Sequence, residues 1–538
     1  MNQRGLYMDP PKARTLPALL AEMAARYPHQ EFVVDGTQRL SYAAFQAEVD
    51  ICANGLIALG VGPADKVAIL MGNQLEWLIA DFAIIAVGGV MVSVNTYATA
   101  RELTYMLEHS ESRALIMADE FSGNNYLEIV ATLMDAGHLT GLRHIIRVNP
   151  GSVNLPGSVD WAYMRQLGLQ ADYTQLRALQ AGITPHDVAY ILYTSGSTST
   201  PKGVQLQHYG LIENMWHIGE RQHLRPGDRL WLSVSLFWGF GCENALFAMM
   251  THAAAIVLQR QFEPAEALSL IEREQCSVIY ATPNMVHSIT SDPSFTAARL
   301  ASLRTGATIG TPEQIKLLAG FGVTEICNVY GLTETYGNCA VTDAREPLEL
   351  RSVSVGKPLP GVELKIVDPE TGIVCAPAEI GEIRVRGYVT CGYLSDGSKN
   401  LVAFDSDNFL MTGDLGYLDR DGNLYFRGRL KEMIKTGGIN VAPVEVENIL
   451  MTHPGVAQAF VIPLADAQRD EIVAALVVPV AESAVSEQLL RTLCRDELAS
   501  YKRPRRYLFV DAEQLPLTST GKVKKLAIPA LFESIYWP

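Results

Sequence analysis

The sequence predicts an α/β protein: a large N-terminal domain of α/β subdomains with a small β-barrel-like subdomain, then a small C-terminal α+β domain. Three observations carry this reading. Apolar runs of strand length alternate with segments of helical periodicity through the first part of the chain, the order expected of an α/β domain with much parallel sheet. From about Val355 short strand-like runs with Gly and Pro turns dominate, as in a small antiparallel sheet or barrel. Past Gly428-Arg429 a separate α/β unit begins, which puts the main boundary near residue 430.

Taken in order, Thr15 reads as a helix cap, with Leu16, Leu19, Leu20, Met23 and Tyr27 on one face and Pro28 as a stop. Phe32-Val33-Val34 reads as a strand ending at Asp35-Gly36. Ser41 caps a second helix whose apolar stripe runs from Tyr42 to Leu59, with Gly60 as its stop. The alternation continues with strand Val67–Met71, a helix over Leu75–Val87, strand Val90–Val94, a helix over Ala100–Glu108 and strand Ala114–Met117. A buried strand Val188–Tyr193 leads into a polar loop, and a helical pattern starts at about Leu206. A helix over Glu263–Glu274 and strand Val278–Ala281 follow. The later strand-like runs are Gly361–Val367, Gly381–Arg386 and Gly422–Phe426. The last unit reads as a helix over Pro443–Met451, strands Ala457–Ile462 and Ile472–Val480, and a helix from Ser486. No internal repeat or low-complexity tract interrupts this order.

The 538 residues call for two or three domains, and 48% hydrophobic with 19% charged residues suffices for large cores. A net charge of −15 argues against nucleic acid or an anionic membrane surface as the main partner, so anionic substrates must be met by local positive groups. The eight cysteines include no CxxC pair, which fits reduced thiols in a cytoplasmic protein. Residues 1–14 lack the apolar core of a signal peptide. The longest uncharged stretch, Phe82–Ala100, contains Gly88-Gly89 and Asn95. It reads as a helix end running into a strand, with no transmembrane segment.

The polar loop organises the functional reading. Tyr193-Thr-Ser-Gly-Ser-Thr-Ser-Thr-Pro-Lys-Gly-Val204 is rich in hydroxyls and ends in Pro-Lys-Gly. Backbone N–H groups, hydroxyls and one ammonium in such a run can wrap phosphate oxygens. A loop leaving a strand for a helix is where open α/β sheets place ligands. The GxxxxGK[ST] spacing of a Walker A loop is absent.

This word closely resembles the phosphate loop of the adenylate-forming superfamily, which comprises acyl-CoA synthetases, luciferases and the adenylation domains of peptide synthetases. Six further segments match that superfamily in its order. The resemblance assigns Thr194, Ser195, Gly196, Ser197, Thr198 and Lys202 to the ATP phosphates. In Tyr330-Gly-Leu-Thr-Glu-Thr335 it puts Thr333 at the α-phosphate and Glu334 on Mg²⁺, with Tyr330 beside the nucleotide and Gly331 in the acyl pocket. Gly310-Thr311-Pro312 matches a small-residue turn stacked on adenine. Thr412-Gly-Asp414 matches the ribose-binding word, with Asp414 accepting from the ribose hydroxyls and Arg429 as a second nucleotide contact. Leu236-Phe-Trp-Gly-Phe-Gly241 occupies the place of the aromatic gate and acyl pocket, giving roles to Phe237, Trp238 and Gly239. Gly428–Asn440 resembles the hinge and the loop after it: Lys431 is the hinge, and Lys435 with Gly437 and Gly438 faces the coenzyme A side. Leu515–Lys525 resembles the loop of the catalytic lysine, which maps to Lys522. The resemblance thus implies an adenylation domain over residues 1–428, a hinge at 429–433 and a mobile lid domain at 434–538.

Two departures stand out. Ser199 replaces a usual glycine, costing roughly 1 kcal/mol if that position needs positive φ. Trp238 stands where the family often has His. No aspartate lies in Leu236–Gly241, where activators of α-amino acids usually place one, so an apolar or aromatic carboxylic acid is favoured. The basic run Lys502–Arg506 reads as a solvated or intramolecularly paired surface in preference to a contact for the coenzyme A 3′-phosphate.

The implied activity is ATP-dependent, Mg²⁺-assisted activation of a small-molecule carboxylic acid as acyl-AMP, then acyl transfer to coenzyme A. A second reading keeps the adenylation and changes the acceptor to a carrier-protein thiol, an amine or another nitrogen nucleophile. A third, a non-catalytic nucleotide-binding homologue, sits poorly with the presence of Lys202, Glu334, Asp414, Arg429 and Lys522. A homodimer is compatible with the sequence, and nothing in it calls for nucleic acid.

Overall fold

A computed structural model gives the fold and describes residues 8–194, 201–310, 312–397, 400, 403–436, 439–466, 470–481, 483–498, 500–517 and 523–536. The chain forms two compact units. The first comprises Met1–Gly310, Gln314–Glu363 and Val385–Leu410; the second comprises Thr311–Glu313, Leu364–Arg384 and Met411–Pro538.

Two large sheets build the first unit. Among the described residues one sheet has nine strands, whose central six run Glu325–Tyr330, Thr305–Thr308, Val278–Ala281, Arg229–Leu232, Ala255–Leu258 and Glu31–Asp35, all parallel. The other has eight, in the order Gly392–Tyr393, Lys202–Gln207, Val188–Thr194, Val90–Ser93, Lys66–Leu70, Ala114–Ala118, His144–Val148 and Ser158–Asp160. The expected alternation is present, because strands buried on both faces read as short continuous apolar runs. Helix Leu75–Ala86 is buried along nearly its whole length. It touches strand Glu31–Asp35 of the first sheet and strands Lys66–Leu70 and Val90–Ser93 of the second, so this apolar segment is interior to the unit. No helix among the described residues is long and apolar enough to cross a membrane.

Capping follows the local sequence in most places. Ser41 accepts from the Ala44 N–H, and Thr99 with Glu102 forms a capping box at helix Ala100–His109. Thr15 occupies the N-cap position of helix Leu16–Arg26 without a side-chain bond. That helix is held instead by the Leu16 N–H donating to His208 Nδ1 at 3.2 Å.

A four-stranded sheet, most of whose residues belong to the second unit, orders as Glu363–Val367, Gly381–Arg386, Leu410–Leu418 and Leu424–Arg429. A second sheet joins Ile439–Val441, Ile434–Thr436, Asp470–Pro479 and Val456–Asp466, with Arg506–Phe509 parallel to Asp470–Pro479. Strand Asp470–Pro479 is apolar on both faces. Val473, Ala475 and Val477 enter one core with helices Pro443–Met451 and Glu487–Glu497, while Ala474, Leu476 and Val478 enter another with Ile528 and Phe532. Ser486 caps the second of those helices, accepting from the Leu489 N–H. Within the basic run, Lys502 Nζ pairs with Glu445 at 2.6 Å and Arg503 donates to the Leu498 carbonyl, so part of that charge is spent internally.

Candidate active site

Strand Glu325–Tyr330 delivers the Tyr330–Thr335 word at its C-terminal end, the side of a parallel sheet where ligands bind. Gly331 is required there, because a Cβ would collide with the Gly337 carbonyl oxygen. Thr333–Thr335 forms one 3₁₀ turn, in which Thr335 Oγ1 accepts from the Leu332 N–H at 2.9 Å. Tyr336 then takes φ of 53°, and its phenol oxygen accepts from the Gln207 N–H at 2.9 Å. That bond ties the turn to strand Lys202–Gln207.

The polar loop does not lead directly into a helix, as the sequence suggested. Strand Val188–Thr194 pairs antiparallel with strand Lys202–Gln207, Thr194 facing Lys202, and the helix begins only at His208. The alternating burial of Val204–Gln207 marks a strand, a period the helical reading from Leu206 missed. Ser195, Gly196, Ser197, Thr198 and Ser199 lie outside the described residues.

Lys202 and Glu334, read as separate phosphate and metal contacts, meet on one aromatic ring. Lys202 Nζ stands 4.8 Å from the centre of the Tyr393 ring, and the Tyr393 hydroxyl donates to Glu334 Oε1 at 2.9 Å. Burial, then the Glu334 charge, push the Tyr393 hydroxyl far above its ordinary pKa, so it stays a donor. Asn400 fixes Tyr393 by accepting from its N–H and donating to its carbonyl, and the Thr390 N–H donates to the Glu334 carbonyl. Sequence reasoning missed Tyr393. It lies 59 residues past Glu334, and a Gly-Tyr pair gives no signal by itself.

The Leu236–Gly241 run is clamped by Asn73, whose Oδ1 accepts from the Leu236 N–H at 2.8 Å and whose amide donates to the Val234 carbonyl. Phe237 is buried, its carbonyl accepting from Ser93 Oγ, and its ring meets the half-buried Trp238 ring at 5.7 Å. Residues Gly239–Ala245 form a π-turn, a shape that recurs at functional sites. A Cβ on Gly239 would collide with Glu243 Oε2, and Thr333 Oγ1 is 3.7 Å from that point. The acyl-pocket word and the Thr333–Glu334 turn are therefore adjacent. Burial, then the Glu334 charge, raise the Glu243 carboxyl far above the usual carboxylate range.

In the second unit, Asp414 and Arg429 are cross-strand partners, with Arg429 Nε 3.2 Å from Asp414 Oδ1. Gly413 takes φ of +70° within strand Leu410–Leu418, its N–H donating to Glu382 Oε1 at 3.2 Å. Thr412 Oγ1 accepts from the Asp414 N–H and donates to the Ile383 carbonyl. The ribose-type word is thus rigid before any ligand arrives. Lys431 falls in a 3₁₀ turn, Leu430–Glu432, and Lys435 in strand Ile434–Thr436 opposite Asn440. Gly310 lies beside Gln314. Thr311, Gly437, Gly438 and Lys522 are outside the described residues.

The donor set of the Glu334 turn, a half-buried carboxylate and the Thr333 hydroxyl, is hard oxygen and fits Mg²⁺. The AMP-binding enzyme family matches residues 20–394, and its C-terminal domain matches residues 445–522. A putative acyl-CoA synthetase of Bacillus subtilis (strain 168) is 34% identical over 527 residues, covering 95% of this chain and 96% of the relative. The solved structure of ATP-bound MatB from Rhodopseudomonas palustris aligns with a TM-score of 0.79 at 26% identity, over 96% of this chain and 99% of that one. An anthranilate CoA ligase solved with anthranoyl-AMP aligns with a TM-score of 0.82 at 25% identity, over 96% and 97%.

Proposed function

The chain belongs to the AMP-binding enzyme family, and we propose that it is an AMP-forming acid–thiol ligase that makes an acyl-CoA from a carboxylic acid, ATP and coenzyme A. The observation that carries this reading is the convergence of Lys202 and Glu334 on Tyr393 at the strand ends of the first unit.

A carboxylate does not acylate a thiol, because its leaving group would be oxide. In the first half-reaction a carboxylate oxygen attacks the α-phosphorus of ATP and the bond to pyrophosphate breaks. Two anions must approach, so preorganised positive charge and positioning dominate the barrier. Lys202 meets the leaving phosphates with the hydroxyls of the loop it closes, and its aromatic neighbour holds the ammonium in place. Thr333 donates at the α-phosphate. Glu334, oriented by Tyr393, would hold Mg²⁺, which neutralises phosphate charge when bound. Asp414 accepts from the ribose hydroxyls while Arg429 holds it in register. Lys522 supplies the cation near the substrate carboxylate.

In the second half-reaction a thiol attacks the acyl carbon, the bond to AMP breaks and the thiol proton passes to solvent. Lys522 would then obstruct the approach, so the lid, residues 434–538, turns about Lys431 and presents Lys435 with Gly437 and Gly438. The test is pyrophosphate release over a panel of carboxylic acids, with and without coenzyme A, with products identified by mass. Lys522→Ala should abolish acid-dependent release, and Lys431→Pro should slow thioester formation more than adenylation. An acyl-AMP that persists when coenzyme A is added would favour another acceptor; unchanged release in Lys522→Ala would reject that lysine's role.

A further inference from the structure

Helix Ala100–His109 holds both sides of the hairpin that carries Lys202, through two side chains one turn apart. Tyr105 donates from its hydroxyl to the Pro201 carbonyl at 3.1 Å, and His109 Nδ1 stands 2.9 Å from the Tyr193 hydroxyl. That hydroxyl also donates to the Met106 carbonyl at 3.2 Å. With the phenol proton on the carbonyl, His109 Nδ1 carries a hydrogen and donates to the phenol oxygen. The Tyr105 and His109 rings stack at 5.1 Å, so the two contacts brace each other. Tyr193 and Pro201 directly precede Thr194 and Lys202, which face each other across the hairpin. Side chains alternate between the faces of a strand. Tyr193, its cross-strand partner Gly203 and Leu394 belong to the face packed with Tyr105; a Cβ on Gly203 would stand 3.3 Å from Leu394 Cβ and 3.6 Å from Tyr193 Cε1. Thr194 and Lys202 therefore belong to the other face, where Lys202 Nζ meets the Tyr393 ring.

We propose that Tyr105 and His109 are positioning residues for the β- and γ-phosphates of ATP: they fix both strands of the hairpin from behind and so aim Lys202 at the leaving pyrophosphate. This rests on the adenylation reading, which assigns those phosphates to Lys202. Neither side chain touches substrate; each acts through the strand it holds. An ammonium on a long side chain is effective only where its backbone is held still, because the bound geometry has to be set before the ligand arrives. A ligand that ends at the α-phosphate makes no use of this hairpin. Loss of the two contacts therefore weakens ATP and spares AMP.

The experiment measures binding of α,β-methylene-ATP and of AMP by calorimetry on the full chain, each with Mg²⁺, and runs pyrophosphate release over a panel of acids beside it. Tyr105→Phe keeps the ring stack and removes one hydroxyl. It should weaken the ATP analogue about threefold to tenfold, the range for one neutral hydrogen bond, and leave AMP nearly unchanged. His109→Leu should act the same way, while His109→Asn, which keeps a donor close to the place of Nδ1, should retain most of the wild-type affinity. Tyr105→Phe carries the test alone should His109→Leu not fold. In a Lys202→Met background Tyr105→Phe should add less than about twofold, because the residue it serves is gone. Equal losses for AMP and the ATP analogue would make the role structural and overturn the inference. So would unchanged binding of both ligands in Tyr105→Phe, a full effect in the Lys202→Met background, or no binding of the ATP analogue by the wild type. If no acid supports pyrophosphate release but the two ligands still separate in the variants, the adenylation reading fails and the role of Tyr105 and His109 stands.

Discussion

Glu334, read as a Mg²⁺ ligand, and Asp414, read as a ribose contact, are both acidic groups, yet the two units of the molecule hold them by opposite means. Glu334 sits on a turn at the end of a parallel strand and is oriented by Tyr393, which itself hangs on Asn400 and on pairing with strand Lys202–Gln207. Asp414 is held within its own hairpin and the adjacent strand, by Arg429 across the pair, Thr412 two residues back and the carboxylate of Glu382 beneath Gly413. The first arrangement needs segments from across the first unit in register; the second needs a small sheet. Contacts assembled over long range can be tuned from several directions, whereas a hairpin site is fixed as soon as its strands pair.

The largest test of this contrast is Glu334→Gln. It keeps the side-chain shape and the acceptor for Tyr393 but removes the charge that would hold Mg²⁺. Pyrophosphate release should fall about 100- to 1,000-fold in kcat, the scale for losing one electrostatic element of a preorganised site. Adding Mg²⁺ should recover part of the loss. Asp414→Asn should act differently: the KM for ATP rises about 10- to 100-fold with a smaller change in kcat, because the ribose hydroxyls lose a charged acceptor. A kcat loss in Asp414→Asn as deep as that in Glu334→Gln would erase the distinction between the two sites.

Tyr393→Phe probes the long-range arm alone. The ring remains under Lys202, so the cation–aromatic contact survives while the bond to Glu334 is lost. A threefold to tenfold drop in kcat/KM, a fraction of the worth of a hydrogen bond to a charged group because Tyr393 acts through Glu334, should come with a raised Mg²⁺ requirement. An unchanged Mg²⁺ requirement would mean that Tyr393 serves the fold rather than the site.

Legibility in the sequence follows the same divide. The elements came through closely: Val278–Ala281, Gly381–Arg386 and Pro443–Met451 have the expected bounds, because each is a short apolar or amphipathic run bracketed by clear stops. Asp414 and Arg429, singled out by the family resemblance, are brought together because their words lie one hairpin apart. Tyr393 was not legible, since its role depends on pairing among segments distant in sequence. Glu243 left a visible trace, one charge in an otherwise uncharged stretch, but only the π-turn shows that it folds back over Gly239. The strand Lys202–Gln207 was missed because a six-residue strand before a helix shares apolar positions with both periods.

The smallest effect lies in the scaffold that carries Lys202. His208 begins the helix directly after that strand, is buried, and accepts from the Leu16 N–H through Nδ1, which places its own proton on Nε2. Burial lowers its pKa to about 4 from an ordinary 6.5. The unfolded chain therefore binds this proton more readily than the folded one, so the stability is present in full above pH 6.5 and is lost as pH falls towards 4. The first unit should lose about 1 kcal/mol between pH 6.5 and 5.5 through this group. Differential scanning calorimetry of the wild type against His208→Gln, which keeps an acceptor but does not titrate, reads that increment directly. At pH 7.5 the two should have nearly equal pyrophosphate release, because His208 supports the scaffold and touches no substrate; a large loss there would mean that the hairpin bearing Lys202 is less firmly set than the bond network implies.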